Sequence, residues 1–208
     1  MTAFKFPQSR ILILCKAPVA GAVKTRLMPP LNAQEAAQVH QALAQRLIVE
    51  SIASRLAPIT LFCEPDIHHD FFRQFKDQVS LWPQRGTDLG ERMANAFVDG
   101  FEQPANGGVL IGTDCPGLDA EYLERAIERL LSHDAVIGPA EDGGYGLIGL
   151  REPNRAVFAG MDWGSNTVCA ETCRAFNRQR LDFALLPLLW DVDRPADLAR
   201  YQASRGAS

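Results

Sequence analysis

The stretch Arg10–Leu31, RILILCKAPVAGAVKTRLMPPL, decides how the rest of the chain is read. Its first part, RILILC, is a short apolar run of branched residues with no polar interruption, the pattern of a strand buried on both faces. A loop follows that carries Gly21, Lys24, Thr25 and Arg26 and ends in Pro29 and Pro30. Asn32 and Glu35 then form an Asn-x-x-Glu capping signal, and Ala36, Val39, Leu43 and Leu47 fall on one face of the predicted helix. Strand, long loop and helix make the first half of a β-α-β unit. The loop is not a Walker phosphate loop, because Val23 precedes Lys24, Ala17 stands at the first glycine position, and two prolines follow. It is either an unusual phosphate site or a solvated basic loop. Gly21 allows close approach of backbone to a ligand, while Lys24 as a point charge and Arg26 as a planar fork suit a polyphosphate.

Outward from this unit the alternation repeats. ITLFC (Ile59–Cys63), VSLW (Val79–Trp82), GVLIGTD (Gly108–Asp114) and AVIGPA (Ala135–Ala140) read as further strands, with helices over about 89–101 and 121–131, the latter capped by Asp119. GYGLIGL (Gly144–Leu150) reads as a strand leaving a tight turn, parallel or antiparallel to its neighbours. Asn166 is placed to cap a helix near 167–176, FALLPLLW (Phe183–Trp190) reads as a last strand, and Pro195 opens a short final helix. This order predicts an α/β protein of three α/β/α layers around a mostly parallel central sheet. No repeat or linker divides the chain, so a single domain over residues 1–208 is expected.

Composition limits the partners. With 21 basic and 25 acidic residues in 208, the formal charge is −4, which gives no global attraction to nucleic acid or to an anionic membrane. No apolar run approaches the length of a spanning helix or of a signal peptide. The five cysteines are odd in number and follow no zinc or Cys-x-x-Cys spacing, although Cys169 and Cys173 share a helix face. A cytoplasmic protein is expected. Its oligomeric state is open.

Four polar clusters fall at predicted strand ends, where open α/β sheets bind ligands. The opening loop is one. In GTDCPGL, Asp114 ends a strand and is either a hard oxygen ligand for Mg²⁺ or a turn cap. In PAEDGGYGLIGL, Glu141, Asp142, Gly143 and Tyr145 form either an acceptor pocket or an ordinary Asp-Gly hairpin. In WDVDRPADL, Asp191 and Asp193 alternate so that both point the same way, as a shared divalent cation requires, although Asp193 also suits a helix cap. Two weaker stretches remain. WPQRGTDLGERM offers Gln84, Gly86 and Arg92 to a base or ribose, and DWGSNT offers Trp163 to an anion or acceptor; a plain loop explains the first as well. His40, His68, His69 and His133 have no evident partners and read as structural or exposed.

Taken in order, KAPVAGAVKTRLMPPL, QRGTDLGERM, GTDCPGL, GPAEDGGYGLIGL, MDWGSNTV and DVDRPADL resemble the bacterial transferases associated with radical-SAM and selenoprotein-type domains. That family lies in the nucleotide-diphospho-sugar transferase superfamily with the glycosyltransferase-A fold. The resemblance covers about residues 10–201. It implies that Gly21, Lys24, Thr25 and Arg26 wrap a nucleotide's phosphates, that Asp114 holds a metal, and that Asp193 is the second metal-binding position, with Arg194 replacing the usual Thr. The loop looks closest to the AKTRL type of the phospholactate guanylyltransferases. The resulting expectation is a Mg²⁺- or Mn²⁺-dependent nucleotidyltransferase. Lys24, Arg26 and Asp114 would act in catalysis, with transfer from a nucleoside triphosphate to a small phosphorylated acceptor near Glu141, Asp142, Gly143, Tyr145 and Trp163. Glycosyl transfer from a nucleotide sugar, and nucleotide binding without catalysis, are the alternatives.

Overall fold

The computed structural model describes residues 3–101 and 106–206. Strands β1 (Arg10–Lys16), β2 (Ile59–Glu64), β3 (Ser80–Pro83), β4 (Gly108–Ile111), β5 (Ala135–Pro139), β6 (Tyr145–Leu150) and β7 (Phe183–Leu185) form one sheet in the order β3-β2-β1-β4-β6-β5-β7. β1 pairs in parallel with β2 and β4, β2 with β3, and β5 with β7. β6 runs against both of its neighbours, β4 and β5. Only residues 140–144 join β5 to β6, too few for the crossover a parallel pair needs, so a hairpin is the available connection.

Helices α1 (Ala33–Ser54), α2 (Asp70–Arg73), α3 (Leu89–Gly100), α4 (Ala120–Leu130), α5 (Val168–Arg178) and α6 (Pro195–Gly206) surround the sheet. Alternation along the strands feeds the two faces: Ile11 and Ile13 pack with Leu47 and Ile48 of α1 and Leu123 and Ile127 of α4, while Leu12 packs with Phe97 of α3 and Phe176 of α5. The expected three-layer architecture is the observed one. Each of these fully buried side chains contributes roughly 1.5–3 kcal/mol. A third cluster, Leu27, Ala36, Leu43, Val192, Leu198 and Tyr201, fastens α6 and the 3₁₀ turn Thr25–Leu27 to α1. It thereby sets the positions of two charged loops.

The caps hold α1 and α4 where the sequence places them. Asn32 accepts from the Glu35 amide at 2.9 Å while Glu35 accepts from the Asn32 amide at 2.8 Å, and Asp119 accepts from the Tyr122 amide at 2.8 Å. Two expectations need correction. FALLPLLW is not one strand: β7 ends at Leu185, and Leu189 makes a single bridge to Ala140. Pro187 has no amide for a ladder, and Leu185 and Leu188 are each 62% exposed. Asn166 is not the cap of α5; Thr167 is, and its side chain makes no capping bond. The short α2 and the 3₁₀ turns at Thr25–Leu27 and Arg155–Val157 went unread because each is barely one turn long.

Candidate active site

From β1 the chain steps through β2 to β3 on one side, and from β4 it continues on the other. This reversal opens a crevice beyond the carboxyl ends of β1 and β4. A cavity of about 750 Å³ lies there. Its walls come from Leu14–Lys16, the loop Ala22–Arg26, Gln84, the start of α3, Gly112–Cys115, the β5–β6 turn, Trp163–Ser165, and Asp191 and Asp193.

The opening loop is anchored by Val23 and Leu27, both buried, and Lys24 between them takes a left-handed backbone conformation with φ +51°. That geometry turns its side chain inward. Lys24 is only 5% exposed, and its Nζ lies 2.8 Å from Asp114 Oδ1. Arg26 stays 65% exposed and donates to Asp193 Oδ2 at 2.8 Å. The loop is therefore solvated at Arg26 and not at Lys24.

Asp114 has one buried oxygen, Oδ1, within a side chain that is 46% exposed overall. This oxygen is ion-paired with Lys24 by distance, but it accepts no well-directed hydrogen bond. Burial pushes the carboxyl up, yet contact with His40 and Lys24 outweighs burial and holds it at about 2. His40, on α1, is the residue that sequence reasoning missed. It is buried, with Nε2 donating to the Lys16 carbonyl at 2.8 Å and Nδ1 facing Asp114 Oδ1 at 3.8 Å. The signal was present: His40 falls between Ala36 and Leu43 on the apolar stripe of α1, and a polar side chain there must find partners.

The Val192 amide donates to the Asp114 carbonyl at 3.0 Å, which ties Asp191 and Asp193 to the end of β4. Asp191 is pushed up to about 6, first by burial and then by Asp142 and Asp193. Asp142 turns into the cavity, with Oδ1 accepting from the Gly144 amide at 2.9 Å. Glu141 does not line it. Arg200 on α6 grips Glu141 through two contacts at 2.8 and 3.2 Å while lying 4.1 Å over the Trp190 ring, so Glu141 latches α6 rather than meeting a substrate.

The remaining residues divide similarly. Thr25, Arg92, Tyr145 and Trp163 line the cavity, and burial pushes the Tyr145 phenol up. Gln84 lines it too, but its amide is spent clipping the Cys15 and Phe62 carbonyls together, at 3.1 and 3.0 Å. Gly21, Gly86 and Gly143 lie outside the lining. Gly143 instead lets two loops touch: at φ +88°, a Cβ there would sit 2.0 Å from the Asn166 carbonyl oxygen.

The charge balance bears on a metal. Each basic chain lining the cavity already has an acidic partner: Lys24 with Asp114, Arg26 with Asp193, and Lys16 and Arg92 with Glu64 at 3.7 and 2.6 Å. Asp142 and Asp191 have no ion-pair partner among the described residues. No cage of three metal-type side chains is preassembled among those residues. The surplus of carboxylates and the raised Asp191 nevertheless fit a hard divalent cation, which would satisfy both.

Residues 47–165 match the model of a family described as an uncharacterized protein conserved in bacteria, DUF2064. The chain belongs to this family. Among solved structures, this DUF2064 protein is similar to a Desulfovibrio desulfuricans protein provisionally named a nucleotide-diphospho-sugar transferase. The two are 34% identical, with a TM-score of 0.86, over 97% of this chain and 90% of that one. It also resembles the 2-phospho-L-lactate guanylyltransferase of Methanopyrus kandleri, 31% identical over 112 residues, which are 51% of this chain and 56% of that protein. The DUF2064 chain thus spans about half the length of the curated relative it matches. A Mycobacterium tuberculosis protein solved with manganese shares the fold at 14% identity and a TM-score of 0.59, over 95% and 99% of the two chains. These likenesses fix the fold as that of the nucleotide-diphospho-sugar transferases. No helix among the described residues is long and apolar enough to cross a membrane.

Proposed function

We propose that this DUF2064 protein is a Mg²⁺- or Mn²⁺-dependent nucleotidyltransferase that uses a nucleoside triphosphate and a small-molecule acceptor. The observation that carries this reading is the buried Lys24–Asp114 pair at the switch-point crevice, with Arg26, Asp191 and Asp193 beside it. The likeness to a guanylyltransferase supports nucleotidyl transfer. A divalent cation held by Asp114 with Asp191 or Asp193 would supply positive charge opposite the phosphate oxygens. Lys24, fixed in the wall, and Arg26, exposed at the rim, would turn from Asp114 and Asp193 to the phosphate oxygens once the cation takes those carboxylates. An acceptor oxygen forms its bond to the α-phosphorus as the bond to the β-phosphate oxygen breaks, pyrophosphate leaves with that electron pair, and a proton carried by a hydroxyl acceptor is lost to water in the open cavity. Positioning and fixed charge account for most of the rate. Thr25, Gln84 and Arg92 border the nucleotide half, and Tyr145 and Trp163 the acceptor half.

Glycosyl transfer is the second reading, favoured by Asp142, a carboxylate that can take a proton from an acceptor hydroxyl, and by the name of the Desulfovibrio desulfuricans relative. The two separate in one assay. The protein is incubated with nucleoside triphosphates or nucleotide sugars and Mg²⁺ or Mn²⁺, and released pyrophosphate and nucleoside diphosphate are measured. Pyrophosphate release is expected; nucleoside diphosphate release with sugar transfer would replace the first reading by the second. The free thiols of Cys15, Cys63 and Cys115, all buried, suit a reducing, cytoplasmic setting.

A further inference from the structure

We infer that the acceptor is an uncharged, polyhydroxylated small molecule, with no phosphate group, that packs on Trp163 and hydrogen-bonds to Asp142. The inference deepens the proposed function and rests on it only for which half of the cavity the nucleotide occupies. Phosphate loops and the β1–β3 edge form one half. The other half, around β5, β6 and the Trp163 loop, has a different chemistry.

Charge decides against a phosphorylated acceptor. Asp142 and Asp191 face this half without an ion-pair partner among the described residues, and Arg26, which also lines the cavity, is committed to Asp193. A cation seated on Asp114 and Asp191 would still leave the Asp142 carboxylate beside the acceptor. A phosphate dianion placed there meets a like charge at short range, on an exposed turn where no cation among the described residues pairs with Asp142. Hydroxyl groups meet an acceptor instead. Asp142 Oδ1 takes the Gly144 amide, which orients the carboxylate and leaves Oδ2 for a ligand.

Shape points to a ring. Trp163 is half-buried and lies directly over Gly90, where any Cβ would come within 2.7 Å of the indole, so the start of α3 is built to receive the ring edge-close. The rest of the indole lines the cavity, continued by Met93, Tyr145 and Val168 into an apolar wall. The Tyr145 hydroxyl is turned to the Met93 sulfur at 3.7 Å, not to the open space. An aromatic platform beside a single carboxylate matches a molecule with a C–H face and hydroxyls at its rim. An ammonium ligand is the competing outcome, because an unpaired carboxylate also attracts a cation, and glucosamine separates that outcome from recognition of hydroxyls.

Saturation-transfer NMR on the full chain with Mg²⁺ tests this with matched probes: glucose, glucose 6-phosphate and glucosamine, and glycerol against glycerol 3-phosphate. Glucose is expected to bind at least about tenfold more tightly than glucose 6-phosphate, with transfer strongest at its C–H protons. Trp163→Ala should abolish that transfer. Asp142→Asn, which keeps the turn and removes the charge, should narrow the discrimination against glucose 6-phosphate. Tighter binding of either phosphate ester or of glucosamine by the wild-type protein, or binding of none of the probes, overturns the inference. Nucleotide turnover is read separately. Its absence with the binding order intact would sink the transfer reading alone, and transfer to phosphate esters would sink the acceptor assignment alone.

Discussion

At the scale of single residues, Asp114 carries two duties that substitution can separate. Asp114→Asn removes the carboxylate from the proposed cation seat, and nucleotide turnover should fall about a hundredfold or more. The same change leaves the buried Lys24 ammonium without its partner, which costs on the order of 1–2 kcal/mol once the partial exposure of Asp114 is allowed for. Adding Lys24→Met should restore the melting temperature but not the turnover. Recovery of turnover in the double variant would remove Asp114 from the chemistry. Asp191 behaves oppositely. Its folded carboxyl titrates near 6, above the ordinary carboxylate range, so the folded state favours the protonated form. Its contribution is fully present below about pH 4 and is lost as pH rises through about 6. Asp191→Asn should therefore raise the melting temperature at pH 8 and leave it nearly unchanged at pH 4; an equal effect at both values would show that Asp191 is not under charge stress.

At the scale of elements, the acceptor half depends on a contact between the β5–β6 turn and the start of α5. Gly143 donates to the Ala140 carbonyl at 3.0 Å and accepts from the Cys169 amide at 2.9 Å, at a φ of +88° and with no room for a Cβ. Gly143→Ala should destabilise by about 3 kcal/mol, roughly 6–12 °C in a protein of this size, through backbone strain and the collision with Asn166. A melting temperature within a degree of wild type would mean that the turn is free to move away. This contact was not legible in sequence, where Asp142-Gly143 is a hairpin signal whatever it touches. The starts of α1 and α4 were legible, since Asn32 and Asp119 satisfy amides within three residues of themselves and long apolar-periodic segments follow, whereas His69 caps an α2 too short to show a period. FALLPLLW was over-read for the converse reason: its apolar content is that of a strand, but Pro187 interrupts the ladder and Leu188 faces solvent.

At the scale of the whole molecule, local periodicity was enough for the layers, because strands buried on both faces announce themselves as unbroken apolar runs. Much of the site's pairing was not, because Lys24 with Asp114, Arg92 with Glu64 and Glu141 with Arg200 each join residues distant in sequence that the sheet order brings together. The pairing has a consequence that no single loop shows. With its cations already engaged, the cavity repels a triphosphate until a divalent cation offsets Asp142 and Asp191. Metal and nucleotide should therefore bind as a unit. In thermal unfolding, nucleotide with EDTA and Mg²⁺ without nucleotide should each shift the transition little. Both together, at about one hundred times the dissociation constant, should stabilise by about 2.7 kcal/mol. The joint effect should be larger at pH 8 than at pH 5, where Asp191 is protonated and the need for a cation is reduced. Equal stabilisation by nucleotide in EDTA and in Mg²⁺ would mean that the acids are balanced by Lys24 and Arg26 alone, and that the crevice binds its nucleotide without a metal.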